Sequence, residues 1–316
     1  MSRIKYVMAY RRSFKRKPAG RRRASRFVRR SGAKRRLPRK RGKFGGMTKR
    51  RVIDIVSKKK SDTMVGLNVT QSEGTRSYSV IMGNTYNTML WCPTARYKAG
   101  YGGSSLAARD APSAFWKGVS EKIHIEADTS DPWLWRRIVF EYEGGFNVES
   151  IPSEKYFATE RDIDGILPVP GSGVDRTNPT GLAGIDRYNR AMEPLSSDEL
   201  TFIWDVVFKG QRFIDWTDPT TAVADSKNLK IHSDKTRVMK SGNDSAIYNN
   251  FKVYHPLNKT MTYREDESGS LEITSALADK KSPLQDVFIL DLFAQSSLAP
   301  GNLSFSTTAT GYWHEK

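Results

Sequence analysis

The sequence predicts an all-β domain that carries a disordered, basic N-terminal arm. Three observations lead there. Residues 1–60 hold 26 Lys or Arg and a single acid, Asp54, out of 52 basic and 34 acidic residues in the chain of 316. From Lys49 onward the texture changes to short runs in which apolar and polar residues alternate, separated by Gly, Pro, Asn, Asp and Ser, the pattern of half-buried antiparallel strands. No long segment of 3.6-residue periodicity competes with that reading.

The arm is taken as residues 1–48. The first sixty residues carry about +25, whereas the 26 basic and 33 acidic residues of 61–316 leave that stretch at −7. Like charges this dense repel each other and no apolar face is available for burial, so the segment is expected to be disordered alone and ordered only on a polyanion. The candidate nucleic-acid contacts are Arg11, Arg12, Lys15, Arg16, Lys17, Arg21, Arg22, Arg23, Arg26, Arg29, Arg30, Lys34, Arg35, Arg36, Arg39, Lys40, Arg41 and Lys43, continued by Lys49, Arg50 and Arg51. Such side chains neutralise phosphates wherever the backbone runs and read no sequence. Tyr6, Tyr10, Phe14, Phe27 and Phe44 lie among them and could stack on unpaired bases or be incidental. Arg11, Arg12, Lys15, Arg16, Lys17, Arg21, Arg22 and Arg23 also have the composition of a nuclear localisation signal, which implies nuclear import machinery as a partner. Gly42, Gly45 and Gly46 read as a hinge.

The body is taken as residues 49–316. Arg51 to Val56, rich in β-branched residues, is expected to be its first strand, closed by Lys58, Lys59 and Lys60. Val80 to Trp91 is a weaker candidate. Lys122 to Glu126 places Ile123 and Ile125 on one face and His124 on the other. Trp133 to Tyr142 aligns Leu134, Ile138, Phe140 and Tyr142, interrupted by Arg136. Thr201 to Phe208 gives the clearest alternation, with Phe202, Trp204, Val206 and Phe208 on one side. Thr236 to Met239, Asn250 to His255, Val287 to Phe293 and Leu303 to Tyr312 complete the set. A short helix is possible over Ser104 to Trp116, limited by Pro112. The stretch from Gly144 to Ser197 reads as one long loop, carrying function or lying on an outer surface. Eight or so strands with decorated loops suit a jelly roll of two packed sheets or another β-sandwich.

The chemistry-bearing residues do not assemble into a catalytic or metal-binding pattern. His124, His232, His255 and His314 are scattered without ligand spacing, and Cys92 is the single cysteine, so no internal disulfide can form and a reducing compartment is expected. Asp162 to Gly165 begins like a calcium loop but lacks the downstream ligands. Gly100 to Gly103 and Gly171 to Gly173 fit no phosphate-cradling motif. No cofactor is expected. No secretory segment and no membrane span is read: the longest apolar run, Val287 to Ala294, is short and broken by Asp291. Two body features could add to binding. Lys58, Lys59 and Lys60 could extend the arm's basic surface, and Trp133 to Arg137 could hold a base and a phosphate, or be a strand with packed tryptophans and solvated arginines.

The run from Met47 to Met64 (MTKRRVIDIVSKKKSDTM), behind an Arg-rich arm and ahead of an aromatic β-rich body that closes on Ala309 to His314, resembles the capsid proteins of genomoviruses of the gemycircularvirus type, and more distantly the geminivirus coat proteins. The resemblance covers the layout of the whole chain and is most specific over 47–64. It implies an eight-stranded antiparallel jelly roll, assembly of many copies into a small icosahedral shell located in the virion and host nucleus, and an inward-facing arm on a circular single-stranded DNA genome. It implies no catalytic residues. Sixty such arms would bring roughly 1,500 positive charges inside the smallest shell, enough to offset about as many phosphates. A chromatin-type nucleic-acid-binding protein with a basic tail shares the arm without needing a shell, and an enzyme with a targeting tail would need a cluster of titratable groups that the sequence does not display.

Overall fold

The computed structural model describes residues 55–70, 74–76, 78–83, 86–99, 108–143, 146, 151, 155–156, 158–159, 188–242, 246–268, 271–295 and 301–315. The expected disordered arm, residues 1–48, and the centre of the expected loop, residues 160–187, lie outside them.

The described body is mostly β, arranged as two sheets. Numbered along the chain, the strands are β1 (Lys58–Thr70), β2 (Gly74–Arg76), β3 (Ser79–Met82), β4 (Asn87–Trp91), β5 (Ser113–Ala127), β6 (Trp133–Tyr142), β7 (Ala158–Thr159), β8 (Tyr188–Ala191), β9 (Lys230–Met239), β10 (Ile247–Ser268), β11 (Leu271–Ala278), β12 (Asp286–Gln295) and β13 (Asn302–Glu315); the helix α1 spans Ser197–Val207. The larger sheet runs β11-β10-β5-β13-β1-β8-β7, with β2 on β1 and β3 on β13; the smaller runs β4-β12-β6-β9. All of these pairings are antiparallel except β1 with β8.

The alternation seen in the sequence specifies the register. In β13 the burial pattern is strictly two-periodic, placing Leu303, Phe305, Ala309 and Trp313 inside and Ser304, Ser306, Thr308 and Tyr312 outside. In β5, Ile123 and Ile125 are inside and His124 is on the polar face, as expected. Gly118 sits where β5 bends: its φ is +154°, and a Cβ would lie 2.4 Å from the His255 carbonyl, so only glycine fits. Between the sheets, Trp135 of β6 packs against Phe251 of β10 and Phe305 of β13, and Trp116 of β5 packs against Trp313 of β13.

β6 and β12 depart from simple alternation because both of their faces are buried. Val139, Val287 and Ile289 face the larger sheet. Ile138, Phe140, Phe288 and Leu290 face outward, where Ile203, Trp204 and Val207 of α1, with Phe208, Trp216 and Leu229 after it, cover them. The smaller sheet is therefore the middle layer, and a near-continuous apolar run is what such a strand needs.

Several expectations are corrected. Thr201 to Phe208 is not a strand: it belongs to α1, which buries Ile203, Trp204 and Val207, an i, i+1, i+4 set, with Leu200 partly buried one turn earlier. The two-residue alternation of large side chains there was coincidental. The deciding signal is the capping box, in which the Ser196 hydroxyl accepts from the Glu199 N–H while the Glu199 carboxylate accepts from the Ser196 N–H. Among the described residues, the expected first strand from Arg51 to Val56 is overturned at its end. Ile55 and Val56 lie in a helical turn and are exposed, and β1 begins at Lys58, so the three lysines open the strand rather than close it; residues 51–54 lie outside the described set. Ser113 to Trp116 is strand, not helix. Thirteen strands are present among the described residues rather than eight, several very short. The supposed loop from Gly144 to Ser197 contains β7 and β8, and Phe146, Ile151, Tyr156 and Tyr188 are buried core residues.

Candidate nucleic-acid interface

All of the expected contacts from Arg11 to Arg51, including the eight residues of the localisation signal, lie outside the described residues. The body is described from its entry at Lys58 and Lys60. Lys60 is almost fully buried and is held by the body itself: its Nζ donates to the Ala108 carbonyl at 2.8 Å and lies 2.8 Å from Asp110 and 3.4 Å from Glu315. Lys58 lies 2.6 Å from the same Asp110. Donating a hydrogen bond to Asp110 raises the Lys58 pKa; burial would raise that of Asp110, but the two lysines outweigh it and hold the carboxyl below its ordinary value. Glu315 also accepts from the Trp313 indole at 2.6 Å and the Asp110 N–H at 2.9 Å. Lys60 therefore does not extend the arm's basic surface. It fastens the first strand to the last.

Trp133 to Arg137 does not offer a base and phosphate site either. Trp133 and Trp135 are packed as one of the two expectations had it, but neither arginine is solvated. Arg136 donates to both oxygens of Asp234, at 3.0 and 2.6 Å, and to the Pro219 carbonyl at 2.7 Å. Arg137 forks onto Asp291 at 2.7 and 2.8 Å and donates to Glu121 at 2.6 Å. Arg190 of β8 bonds the same two acids, and His255 of β10 lies 3.3 Å from Glu121. This cluster lies between the sheets with both carboxylates fully buried. Burial pushes Glu121 and Asp291 up, but Arg137 and Arg190 outweigh it and hold both well below the usual carboxylate range; the same acids hold Arg137 above its ordinary value despite its burial. Buried charges persist only when paired in this way.

The remaining titratable groups are local. His124 lies 2.7 Å from Glu126 and 3.0 Å from Asn250, and His232 lies 2.8 Å from Glu141. Burial drives the Cys92 thiol far above its ordinary pKa, which makes it a poor nucleophile. Burial also pushes the Asp286 carboxyl up to about 7; it accepts from the Ala278 N–H at 2.9 Å. Among the described residues, no three His, Cys, Asp or Glu side chains come together to hold a metal ion, and no helix is long and apolar enough to cross a membrane.

One surface is not legible in the sequence. The outer face of the larger sheet is covered by nothing among the described residues. Along β1, β13, β5 and the part of β10 from Ile247 to Tyr254 it presents mainly Ser, Thr, Lys and Tyr, with Val65, His124 and Asn250 among them and Glu126 as its outward acid. Tyr248, Tyr254 and Tyr312 are 67, 51 and 39 % exposed. Single-sequence alternation located the face but not its charge, because its members come from four strands.

No protein-family model matches the chain, and no curated protein matches it at a significant level.

Proposed function

We propose that this chain is a non-enzymatic viral capsid protein. Its body is a jelly roll that assembles with other copies, sixty in the smallest case, into an icosahedral shell, and its arm collects a circular single-stranded DNA genome. The carrying observation is the junction of residues 1–57, which hold 23 basic residues and one acid, to a two-sheet β body entered at Lys58, where residues 58–316 hold 29 basic and 33 acidic residues and so carry the opposite net sign. Concentrated cation needs a polyanion, and a β body with edges and loops can meet copies of itself. The jelly-roll assignment is supported by strand order. The principal strands β1, β4, β5, β6, β9, β10, β12 and β13 form β10-β5-β13-β1 opposite β4-β12-β6-β9. Taken as eight, their chain positions run 6-3-8-1 and 2-7-4-5, which is the double Greek-key winding.

Assembly couples the two parts. DNA relieves repulsion among arms by displacing counterions, and contacts between bodies then close the shell. The eight-residue cluster from Arg11 to Arg23 serves nuclear import of the free subunit through the host import machinery.

A body of about 270 residues is roughly 45–50 Å across, and sixty of them tile a sphere roughly twenty nanometres wide. Negative-stain microscopy of the purified full chain with single-stranded DNA should show uniform particles of that size that protect the DNA from nuclease. Single subunits at every salt and protein concentration would overturn the reading and favour a chromatin-type binder.

A further inference from the structure

The outer face of the larger sheet contains an arrangement that is costly as it stands. Lys122 of β5 and Lys252 of β10 are directly opposite in the antiparallel register, and both are exposed. Cross-strand neighbours have Cβ atoms roughly 4.5–5.5 Å apart, and like charges so placed destabilise a sheet. Their flanking pairs do not relieve them: Phe251 and Val253 alternate inward beside Lys252, and Thr308 of β13 lies opposite Lys122 on the other side. The two ammonium groups stand at a shallow trough of about 480 Å³ whose walls include Val65, His124, Asn250 and Thr308. Tyr254, two residues beyond Lys252, and Tyr248, four before it, point the same way, and Tyr248 meets the His124 ring at 4.6 Å. From Tyr248 to Tyr254 the strand spans about 20 Å.

A paired ammonium site between exposed phenol rings matches one ligand chemistry. The phosphodiester supplies the negative charge that relieves the Lys122–Lys252 repulsion, and unpaired bases supply the flat faces that rings accept. A duplex hides its bases and offers the rings nothing to stack on. Hydroxyls of Ser306, Thr308 and Thr310 supply neutral donors along the strand's path. The body is net acidic over residues 61–316, so this face is not a sample of its average surface.

We propose that the outer face of β13-β5-β10 is a second binding surface for single-stranded nucleic acid, with Lys122 and Lys252 clamping a backbone phosphate and Tyr248 and Tyr254 stacking the flanking bases. This deepens the packaging function above and rests on it for the identity of the polyanion. The body thereby fixes a short segment of strand in one orientation, while the arm neutralises charge without fixing geometry.

The test uses the full chain and an oligodeoxynucleotide carrying 5-iodouracil, photo-cross-linked and mapped by mass spectrometry. Adducts on peptides containing Tyr248, Tyr254 or Tyr312, in addition to the arm, are expected. Adducts confined to residues 1–54 would overturn this inference and leave packaging by the arm intact; no adducts, together with no DNA retention, would overturn both. A second measurement uses the full-length double variant Lys122→Glu, Lys252→Glu, with folding checked by circular dichroism. Losing one phosphate contact in a single strand flattens the slope of log affinity against log salt by about 0.7. The variant should show at least that loss, and a slope identical to that of the parent chain would also overturn the proposal.

Discussion

Arg190 hydrogen-bonds Glu121 across the interior although 69 residues separate them, and the same guanidinium bonds Asp291. β8, which carries Arg190, pairs with β1 at the end of a connection whose sequence reads as surface loop. The connection is therefore anchored in the middle of the sandwich by a charge. Removing that charge leaves Glu121 and Asp291 with Arg137 as their one close cation, beside the weaker His255 contact and the neutral donors Thr307 and Trp135. Arg190→Ala should lower stability by about 3–5 kcal/mol, the usual cost of orphaning a buried ionic partner. Urea denaturation of the full chain measures it, and a loss under about 1 kcal/mol would mean that the cluster is already open to water.

Asp286 gives the body an unusual pH dependence. Its carboxyl ionises near 3.8 when unfolded and at about 7 when folded. The folded state therefore holds an extra proton between those values, and this group's contribution to stability is full below about pH 4, declines as pH rises, and levels off above about 7. Asp286→Asn keeps the acceptor for the Ala278 N–H and removes the titration. The variant should gain on the parent chain steadily between about pH 4 and 7 and level off above, by at most about 4 kcal/mol for roughly three pKa units. Parallel stability curves over that range would refute the buried titration.

Glu121 and Asp291 act with the opposite sign. Their folded pKa values are depressed, so their contribution is present at neutral pH and is lost only as pH falls below the ordinary carboxylate range of roughly 4. Acid unfolding monitored by tryptophan fluorescence should begin below about pH 4, and at higher pH in Arg190→Lys, which keeps a charge but loses the fork.

The helix assignment separates two neighbouring residues. Ile203→Asp should prevent folding because Ile203 is fully buried under the smaller sheet, whereas Thr201→Asp, exposed on the same helix, should be tolerated within about 1 kcal/mol. A strand with the expected face would bury Phe202 and Trp204 and turn both Thr201 and Ile203 to solvent. Soluble expression and circular dichroism decide between them.

Gly118→Ala should cost about 1–3 kcal/mol, since its backbone conformation and the nearby His255 carbonyl both exclude a Cβ. A thermal midpoint unchanged from the parent chain would show that β5 can straighten there.

Legibility followed how local the deciding physics is. Leu303–Tyr312 is readable because its burial repeats every second residue, whereas Trp133–Tyr142 and Val287–Phe293 are readable as short apolar runs, since both of their faces are buried. α1 was misread because four large side chains happened to alternate, while the Ser196–Glu199 cap, a weaker-looking signal, decided the outcome. The interior charge cluster was not readable: Glu121, Arg137, Arg190, His255 and Asp291 come from five strands, and in sequence each looks like an ordinary solvated charge. Asp291 inside the apolar run from Val287 to Ala294 was the one visible sign, since a lone acid in a buried strand requires a cation somewhere. The Lys122–Lys252 pair is hidden for the same reason, because its members meet only through register. The arm's polyelectrolyte character was evident from counting alone.

The register that sets Lys58 beside Glu315 brings the entry and exit of the body to within one interstrand spacing, roughly 5 Å. Any reporter or affinity peptide grafted behind Glu315 would emerge next to the root of the polycation and share its compartment. A graft inserted in the segment after α1, at exposed Phe213 and Ile214, instead lies on the layer that covers the smaller sheet, away from the strand that leads in from the basic segment.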